Sequence, residues 1–388
     1  MPCMTRHMPT FRLRRRDFLA CSGLAALAGS TAFTGCASSQ AATPPLSLRL
    51  IGETRLPHKL PYQNTTVGGL SGIDFDPANS TLYLLSDDGG GHSPPRFYTA
   101  RLALTAGKLA DVEFQIELTG VTFVQGLNSP DPEAIRWHAP SRSLLWTSEG
   151  NALLGAAPSL QQTRLDGTLV RTFELPAMLG FGLLSGSRIN KTLEGLAISP
   201  DGQTAWLSME AALRQDGPEP TVAAPGGPCR FTQIDLATGT TLRQIAYVPD
   251  AIPRAPSPFG ADADNGVVEV LMLDAHRMLV LERAYMAGLG DRERNSMRLY
   301  VIDTRQATDT LDIAALKPGN HRPAAKTLVA DFASFAALTR LDNTEGMCWG
   351  PVLTTNDGTR GNRTLLFVSD DNFNPRQITQ FLAFEFFE

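Results

Sequence analysis

The sequence feature that most constrains the fold is a hairpin-forming segment that occurs five times. In its third copy, TLEGLAISPDGQTAWLSMEAAL (Thr192–Leu213), two strand-like runs flank a Pro200-Asp201-Gly202 turn. An acidic residue lies at each outer end of this hairpin. The residues at the first of these positions are 71, 133, 194, 269 and 345, which are separated by 62, 61, 75 and 76 residues. Such a period is typical of a repeat architecture.

Each repeat also has room for two further strands. In repeat three these are RFTQIDL (Arg230–Leu236) and TLRQIAYV (Thr241–Val248). Four antiparallel strands per repeat make a β-propeller blade. The fifth repeat is one strand short, and Leu46–Leu56 has the pattern of a strand that could complete it. We therefore predict an all-β propeller of five four-stranded blades, closed by an N-terminal strand.

Two alternatives to five blades remain open at this level. A sixth, degenerate blade could lie within the long insertion at Gly217–Pro228. The hairpins could also stack as a β-sandwich instead of closing into a ring. Gln215–Pro228 and Val248–Ala261 are rich in proline and glycine, and we interpret them as loops that either cover one face of the disc or are solvated insertions.

The N-terminal segment has the pattern of an export signal. Arg15-Arg16-Asp17-Phe18-Leu19 resembles the bacterial twin-arginine signal, and Phe33-Thr34-Gly35-Cys36 resembles a lipoprotein signal peptidase site. The apolar run from Phe18 to Phe33 is shorter than the ~20 residues that span a bilayer, which disfavours a transmembrane anchor.

These motifs predict the domain organisation and the location of the protein. Residues 1–35 form a signal peptide, Cys36 is lipidated, 36–45 form a tether, and 46–388 form the propeller domain. We expect a monomer in the periplasm or cell envelope, exported by the twin-arginine route, that contacts the membrane only through its lipid anchor. Without residues 1–35 the net charge falls from −5 to −9, which argues against nucleic acid as a partner.

The acidic residues at the hairpin ends are candidate metal ligands. Antiparallel pairing places the two ends of a hairpin side by side, and the first strand of a propeller blade lines the central channel. We therefore expect the acids to gather at one mouth of the channel. They are Glu133, Glu194, Glu269 and Glu345 at the first position, and Asp87, Glu149, Glu210, Glu282 and Asp370 at the second.

So many like charges in one concavity require either raised pKa values or bound cations. Oxygen ligands favour calcium, which takes about six to eight of them. The alternative is a network compensated by arginine, and Arg283 and Arg96 are candidates both for that network and for binding an anionic substrate. Asp262–Gly266 resembles a calcium loop without its final glutamate, and we interpret it as a turn that could also contact a metal ion. Cys229 and Cys348 could form a disulfide or remain free thiols.

Four motifs resemble those of the bacterial phytase-like family, which is also described as having esterase-like activity of phytase. They are TLEGLAISPDG, LVLERAY, NTEGMCWGP and VSDDNF, which occur in this order between Leu46 and Phe387. The family is similar in architecture to calcium-dependent β-propeller phytases, whose acidic mouth binds calcium and phosphate. The resemblance implies that Glu133, Glu194, Glu210, Glu269, Glu282 and Glu345 are metal or catalytic carboxylates. Ser71 departs from the pattern in repeat one.

The resemblance leads to three functional hypotheses. The first is a calcium-dependent phosphoric-ester hydrolase, in which Glu194 or Glu269 deprotonates a metal-activated water. The second is a calcium-dependent hydrolase of lactones or carboxylic esters. In the third, the protein is a lipid-anchored binding or scaffold propeller braced by ions. A small phosphorylated or ester molecule is the expected substrate in the first two.

Overall fold

The computed structural model describes residues 45–104, 113–126, 131–354 and 360–388. The predicted signal peptide (1–35), Cys36 and all of the predicted tether except Pro45 lie outside these residues. No helix in the described ranges combines the length and apolar character needed to cross a membrane.

The described chain is built from five four-stranded antiparallel sheets. Blade one comprises β4 (Leu70–Asp76), β5 (Thr81–Ser86), β6 (Arg96–Leu104) and β7 (Phe114–Phe123). Blade two comprises β8 (Pro132–His138), β9 (Ser143–Ser148), β10 (Ser159–Thr163) and β11 (Leu169–Phe173). Blade three comprises β12 (Leu193–Ile198), β13 (Thr204–Met209), β14 (Cys229–Asp235) and β15 (Thr241–Tyr247). Blade four comprises β16 (Ala263–Met272), β17 (Arg277–Met286), β18 (Asn295–Asp303) and β19 (Lys326–Asp331).

Blade five is completed by both ends of the described chain. It comprises β20 (Asn343–Thr354), β21 (Arg360–Asp370), β22 (Thr379–Phe387) and β1 (Ser47–Leu56). Strand β1 pairs antiparallel with β22, from Ser47 opposite Phe387 to Leu56 opposite Thr379. The predicted closure by an N-terminal strand is therefore confirmed. A small hairpin of β2 (Leu60–Tyr62) and β3 (Thr65–Val67) precedes blade one.

The innermost strands close the ring. Strand β4 contacts β8, β8 contacts β12, β12 contacts β16, β16 contacts β20, and β20 contacts β4. This order confirms a five-bladed propeller, because residues 217–228 form the loop between β13 and β14 instead of a sixth blade. Alternating apolar residues of neighbouring blades form the core. Cys229 and Cys348 are both buried and free.

Arg136 crosses the central channel below its mouth. This buried guanidinium donates to the carbonyl oxygens of Ile73 at 2.9 Å, Met347 at 3.0 Å and Val270 at 3.1 Å, which belong to blades one, five and four. It also forms a 2.8 Å ion pair with Glu269. A buried arginine needs such partners to offset its lost hydration. The arginine therefore joins four blades and lies beneath the mouth.

Candidate metal centre

An acidic cavity occupies the mouth of the channel, where the first strand of each blade begins and the second strand ends. This mouth cavity has a volume of about 730 Å³. Lysine, arginine and asparagine side chains also line it. Its carboxylates are Asp87, Asp131, Glu133, Glu149, Glu194, Glu210, Asp264, Glu345 and Asp370.

A β-bulge near the start of each first strand positions the acids. In blade three, Leu193 pairs with Met209 and Gly195 pairs with Ser208, so that Glu194 is the unpaired residue. Blade five has the same shift between Thr344 and Gly346, on either side of Glu345. A bulge redirects the side chain of its extra residue. In blades one, two and three the second acid follows the last paired residue of the second strand, as Glu210 follows Met209, whereas Asp370 of blade five pairs with Asn343.

Blade four carries the same bulge one residue earlier than the sequence pattern predicts. Val267 pairs with Glu282 and Glu269 pairs with Leu281, so the unpaired residue is Val268. Arg283 then occupies the position that Glu210 has in blade three. The expectation that Glu269 and Glu282 share one cluster with the other acids is therefore wrong. A shift of one residue moves a strand side chain to the opposite face.

Glu269 lies below the mouth cavity, where it stabilises the blade junction. Its carboxylate accepts the backbone N–H groups of Leu196 and Val270, both at 2.9 Å, and pairs with Arg136. Burial raises the pKa of Glu269 to about 7, although Arg136 acts to lower it. Glu269 is thus held by backbone groups of strands β12 and β16 and by Arg136 of β8. It does not line the mouth cavity.

Glu282 lies between blades three and four. It accepts hydrogen bonds from Tyr247 Oη at 2.6 Å and from Asn265 Nδ2 and the Asp250 backbone N–H, both at 2.9 Å. Lys326 also contacts this carboxylate. The Glu282 carboxylate is buried, and both of its oxygens accept hydrogen bonds. It does not line the mouth cavity.

Arg96, the second expected substrate-binding arginine, is completely buried in blade one. Its guanidinium donates to Asp88 Oδ2 at 2.9 Å, to the Thr66 carbonyl at 2.7 Å and to Tyr98 Oη at 2.6 Å. These bonds join the β2–β3 hairpin to blade one. Arg96 does not line the mouth cavity, whereas Arg283 does.

One wall of the mouth cavity contains both acids and their counter-charges. Arg283 Nη2 lies 3.3 Å from Glu345 Oε1 and 3.9 Å from Glu210 Oε1. Lys191 Nζ lies 3.2 Å from Asp264 Oδ2. Burial acts to raise the pKa of Asp264, but Arg283 and Lys191 outweigh it and hold the pKa below its ordinary value. On this wall basic side chains compensate the acids, as expected for an arginine-compensated network.

The remaining acids of the cavity have no such partner. Within the described ranges, no basic side chain lies within 4 Å of any of them: Asp87, Asp131, Glu133, Glu149, Glu194 and Asp370. Burial, followed by the charge of Glu194, raises the pKa of Glu133 well above its ordinary value. Burial, followed by the charge of Asp370, does the same for Asp87. Bound cations would relieve this repulsion.

Two groups of three carboxylates have the spacing of cation ligands. Asp131, Glu133 and Glu149 form one group, and Glu149, Glu194 and Glu210 form the other, with ligand atoms within 4.8 Å of one another in each. Glu149 belongs to both. Its Oε1 accepts the Thr192 backbone N–H at 2.5 Å, which fixes its orientation. Carboxylate oxygens alone favour a hard cation such as calcium.

Sequence reasoning missed several residues of the cavity. Asp131 lies two residues before Glu133 and shares its metal-ligand group. Asp264, which the sequence pattern assigns to a turn, is the second residue of strand β16 and lines the mouth. Asn343 donates from Nδ2 to Glu345 Oε1 at 2.8 Å and to Asp370 Oδ2 at 3.2 Å, and so holds two acids of blade five together. The NTEG motif that contains Asn343 was the available signal for its role.

The fold and the site define a five-bladed propeller whose acidic channel mouth could hold metal ions. The chain matches the family described as "Phytase-like: Esterase-like activity of phytase" over residues 65–373, and it belongs to that family. No curated protein sequence matches it at a significant level.

Two solved structures show distant likeness to this chain. Hydrazine synthase of Kuenenia stuttgartiensis is 14% identical with a TM-score of 0.32; the match covers 84% of this chain and 66% of that one, slightly under two thirds. The periplasmic gluconolactonase PpgL of Pseudomonas aeruginosa is 14% identical with a TM-score of 0.36, covering 82% and 86%.

Proposed function

We propose that this protein is a calcium-dependent hydrolase of phosphoric esters, with the mouth cavity as its active site. The observation that carries the proposal is the division of the cavity into two walls. The group of Asp131, Glu133 and Glu149 has no basic side chain within 4 Å among the described residues. The group of Glu149, Glu194 and Glu210 borders the wall that presents Arg283 and Lys191, where Arg283 lies 3.9 Å from Glu210. A site for cations beside a site for anions suits a metal-bound phosphate, and the family description agrees with this chemistry.

The residues of the mouth cavity would have separate roles in this reaction. The two groups that share Glu149 would hold calcium, which when bound polarises a phosphoryl oxygen and lowers the pKa of a coordinated water. Arg283 and Lys191 would contact the non-bridging oxygens and orient the ester. Asp87 and Asp370 line the cavity outside both groups. One would accept the proton of the attacking water, and the other would donate a proton to the alcohol oxygen as its bond to phosphorus breaks. Glu194, the expected base, belongs to a metal group, and we assign it a ligand role.

Turnover measured with and without calcium tests this proposal. We expect hydrolysis of phytate or p-nitrophenyl phosphate that is lost on chelation, returns with calcium, and falls at least ~100-fold in Glu149→Gln, because that substitution weakens both groups. Glu117→Gln is the matched control, since Glu117 is exposed and, among the described residues, pairs with Arg101 across strands β6 and β7. A folded protein without calcium-dependent turnover of any ester would contradict an enzymatic role.

The same assay separates the two other hypotheses. The family description names esterase-like activity, so p-nitrophenyl acetate and a simple lactone belong in the substrate set. Turnover of these alone would identify a carboxylic-ester or lactone hydrolase. A binding or scaffold propeller would lose thermal stability on chelation without turning over any substrate.

We also propose export by the twin-arginine route and anchoring through a lipid on Cys36. The support for this is the sequence pattern Arg15-Arg16 followed by Phe33–Cys36. Arg15→Lys with Arg16→Lys should retain the protein in the cytoplasm. Cys36→Ala should release it from the membrane fraction, and unchanged fractionation of both variants would contradict the proposal.

A further inference from the structure

A second cavity opens beside the mouth cavity, on the outer half of blade two. It has a volume of about 440 Å³, within the range of roughly 300–1,000 Å³ found for small-molecule sites. Its lining is mainly apolar and includes Pro158, Phe173, Leu175, Pro176, Ala177 and Leu179. We call it the apolar cleft.

A single residue separates the apolar cleft from the mouth cavity. Glu149 lines the mouth, while its neighbours Ser148 and Gly150 line the cleft. Glu149 is also the carboxylate common to both metal-ligand groups. The chain at Ser148–Gly150 is therefore a wall that the acidic mouth and the apolar cleft share.

Two loops at the cleft carry exposed leucines. Leu153 is 91% exposed beside Leu154 on the loop between β9 and β10, and Leu183 is 91% exposed beside Leu184 on the loop between β11 and β12. Residues at the bases of both loops line the cleft. They are Gly150 and Ala156 in the first loop, and Leu179 and Gly180 in the second.

Both loops are held by hydrogen bonds. Asn151 and Ala156 exchange two backbone bonds, of 2.7 and 3.0 Å, in the first loop. Ser187 N–H donates to the Gly180 carbonyl at 2.9 Å in the second. Contiguous exposed apolar patches mark interaction sites, and each of these two loops contributes two adjacent exposed leucines.

We infer that the substrate is an amphiphilic ester, whose anionic end lies in the mouth cavity and whose alkyl or acyl arm occupies the apolar cleft. The inference rests on the proposed function for the anionic end alone. The occupant of the cleft follows from its apolar lining, its size and the wall that it shares with the mouth cavity at Ser148–Gly150. A compact, fully charged substrate would leave both the cleft and the leucines unused.

Binding of alkylphosphonates, which are not hydrolysed, tests the inference. Isothermal titration in calcium should show octylphosphonate binding at least ~10-fold more tightly than methylphosphonate, because the cleft buries several methylenes. Ala177→Trp fills the cleft from an exposed position, and should abolish this gain while leaving methylphosphonate affinity unchanged. Ala78→Trp, in the exposed turn between β4 and β5 at the opposite end of the strands, is the control and should behave as wild type.

Neutral 1-octanol distinguishes failure of this inference from failure of the proposed function. Octanol binding that Ala177→Trp abolishes, without any phosphonate binding, would support the cleft and contradict the anion site. Phosphonate affinity that is independent of chain length would overturn the amphiphilic substrate and leave the proposed function standing. Binding to neutral phosphatidylcholine vesicles, lost with Leu183→Ser and Leu184→Ser but not with Ala177→Trp, would assign the leucines to a lipid surface and also overturn the inference.

Discussion

Arg283 of blade four lies 3.3 Å from Glu345 of blade five, between Nη2 and Oε1. In the other four blades the position of Arg283 belongs to a carboxylate, namely Asp87, Glu149, Glu210 or Asp370. One blade thus supplies a positive charge to a ring that is otherwise acidic. This substitution places a counter-charge beside Glu345 and Glu210 on one wall of the mouth.

Replacement of Arg283 by glutamine should destabilise the metal-free protein at pH 8. Removing one partner of a buried ion pair costs about 3–5 kcal/mol, because the remaining charge stays buried. Denaturant unfolding measures the effect. Arg305→Gln is the control, because Arg305 pairs with Asp303 at the surface, where solvent screens the pair, and its loss should change stability little. Equal small losses in both variants would show that Arg283 does not compensate the mouth acids.

Glu194→Gln and Glu269→Gln should have opposite effects on stability. Glu194 faces other acids, so a neutral amide relieves repulsion and should raise the melting temperature of the metal-free protein at pH 8. Glu269 pairs with buried Arg136, so the same change leaves that charge unpaired and should lower the melting temperature.

Calcium titration of the same two variants gives an independent result. Glu194→Gln should weaken calcium binding by about tenfold or more, because it removes a charged ligand. Glu269→Gln should leave calcium affinity near that of wild type. Loss of affinity in Glu269→Gln alone would contradict the register that we describe for blade four.

The metal-free protein should lose stability as the pH rises. Burial raises the pKa of Glu210 to about 7, although Lys191 acts to lower it, and burial with the charge of Glu210 raises the pKa of Glu149 to about 8. A folded-state pKa above the unfolded value means that the folded protein binds more protons. The stabilisation is therefore complete below about pH 4.5, the unfolded value, and is lost as the pH rises through 7 and 8.

Thermal unfolding of chelated protein between pH 5 and 9 checks this dependence. Saturating calcium should flatten or reverse the trend, because cations favour the ionised carboxylates. Stability of the metal-free protein that increases across this range would show that the mouth acids are compensated in another way.

Gly266→Ala should disturb the metal centre without a change of charge. A β-carbon on Gly266 would lie 2.5 Å from Glu210 Cγ and 2.6 Å from its Oε1, so Glu210 would have to move. We expect weaker calcium binding in a titration. Gly290→Ala is the matched control, because a β-carbon there meets no atom within 4 Å. Unchanged affinity in Gly266→Ala would argue against Glu210 as a ligand.

The sequence by itself determined the propeller and most of its acidic mouth. Apolar alternation and turn residues act over a few positions, so hairpins such as Thr192–Leu213 can be recognised locally, and their fivefold recurrence defines the blades. The closing role of Leu46–Leu56 followed from the strand missing at the other end. The ring then brings together Glu133, Glu194 and Glu345 because they begin equivalent strands.

Only the tertiary structure decided which side chains of blade four face the mouth. The bulge at Val268 moves the pairing by one residue, which sends Glu269 towards Arg136, moves Glu282 between two blades and brings Arg283 into the ring. A strand exposes alternate residues on opposite faces, so a single-residue shift reverses every assignment. That shift depends on pairing across strands and on the space left by neighbouring blades, and these are long-range contacts that a local pattern does not contain.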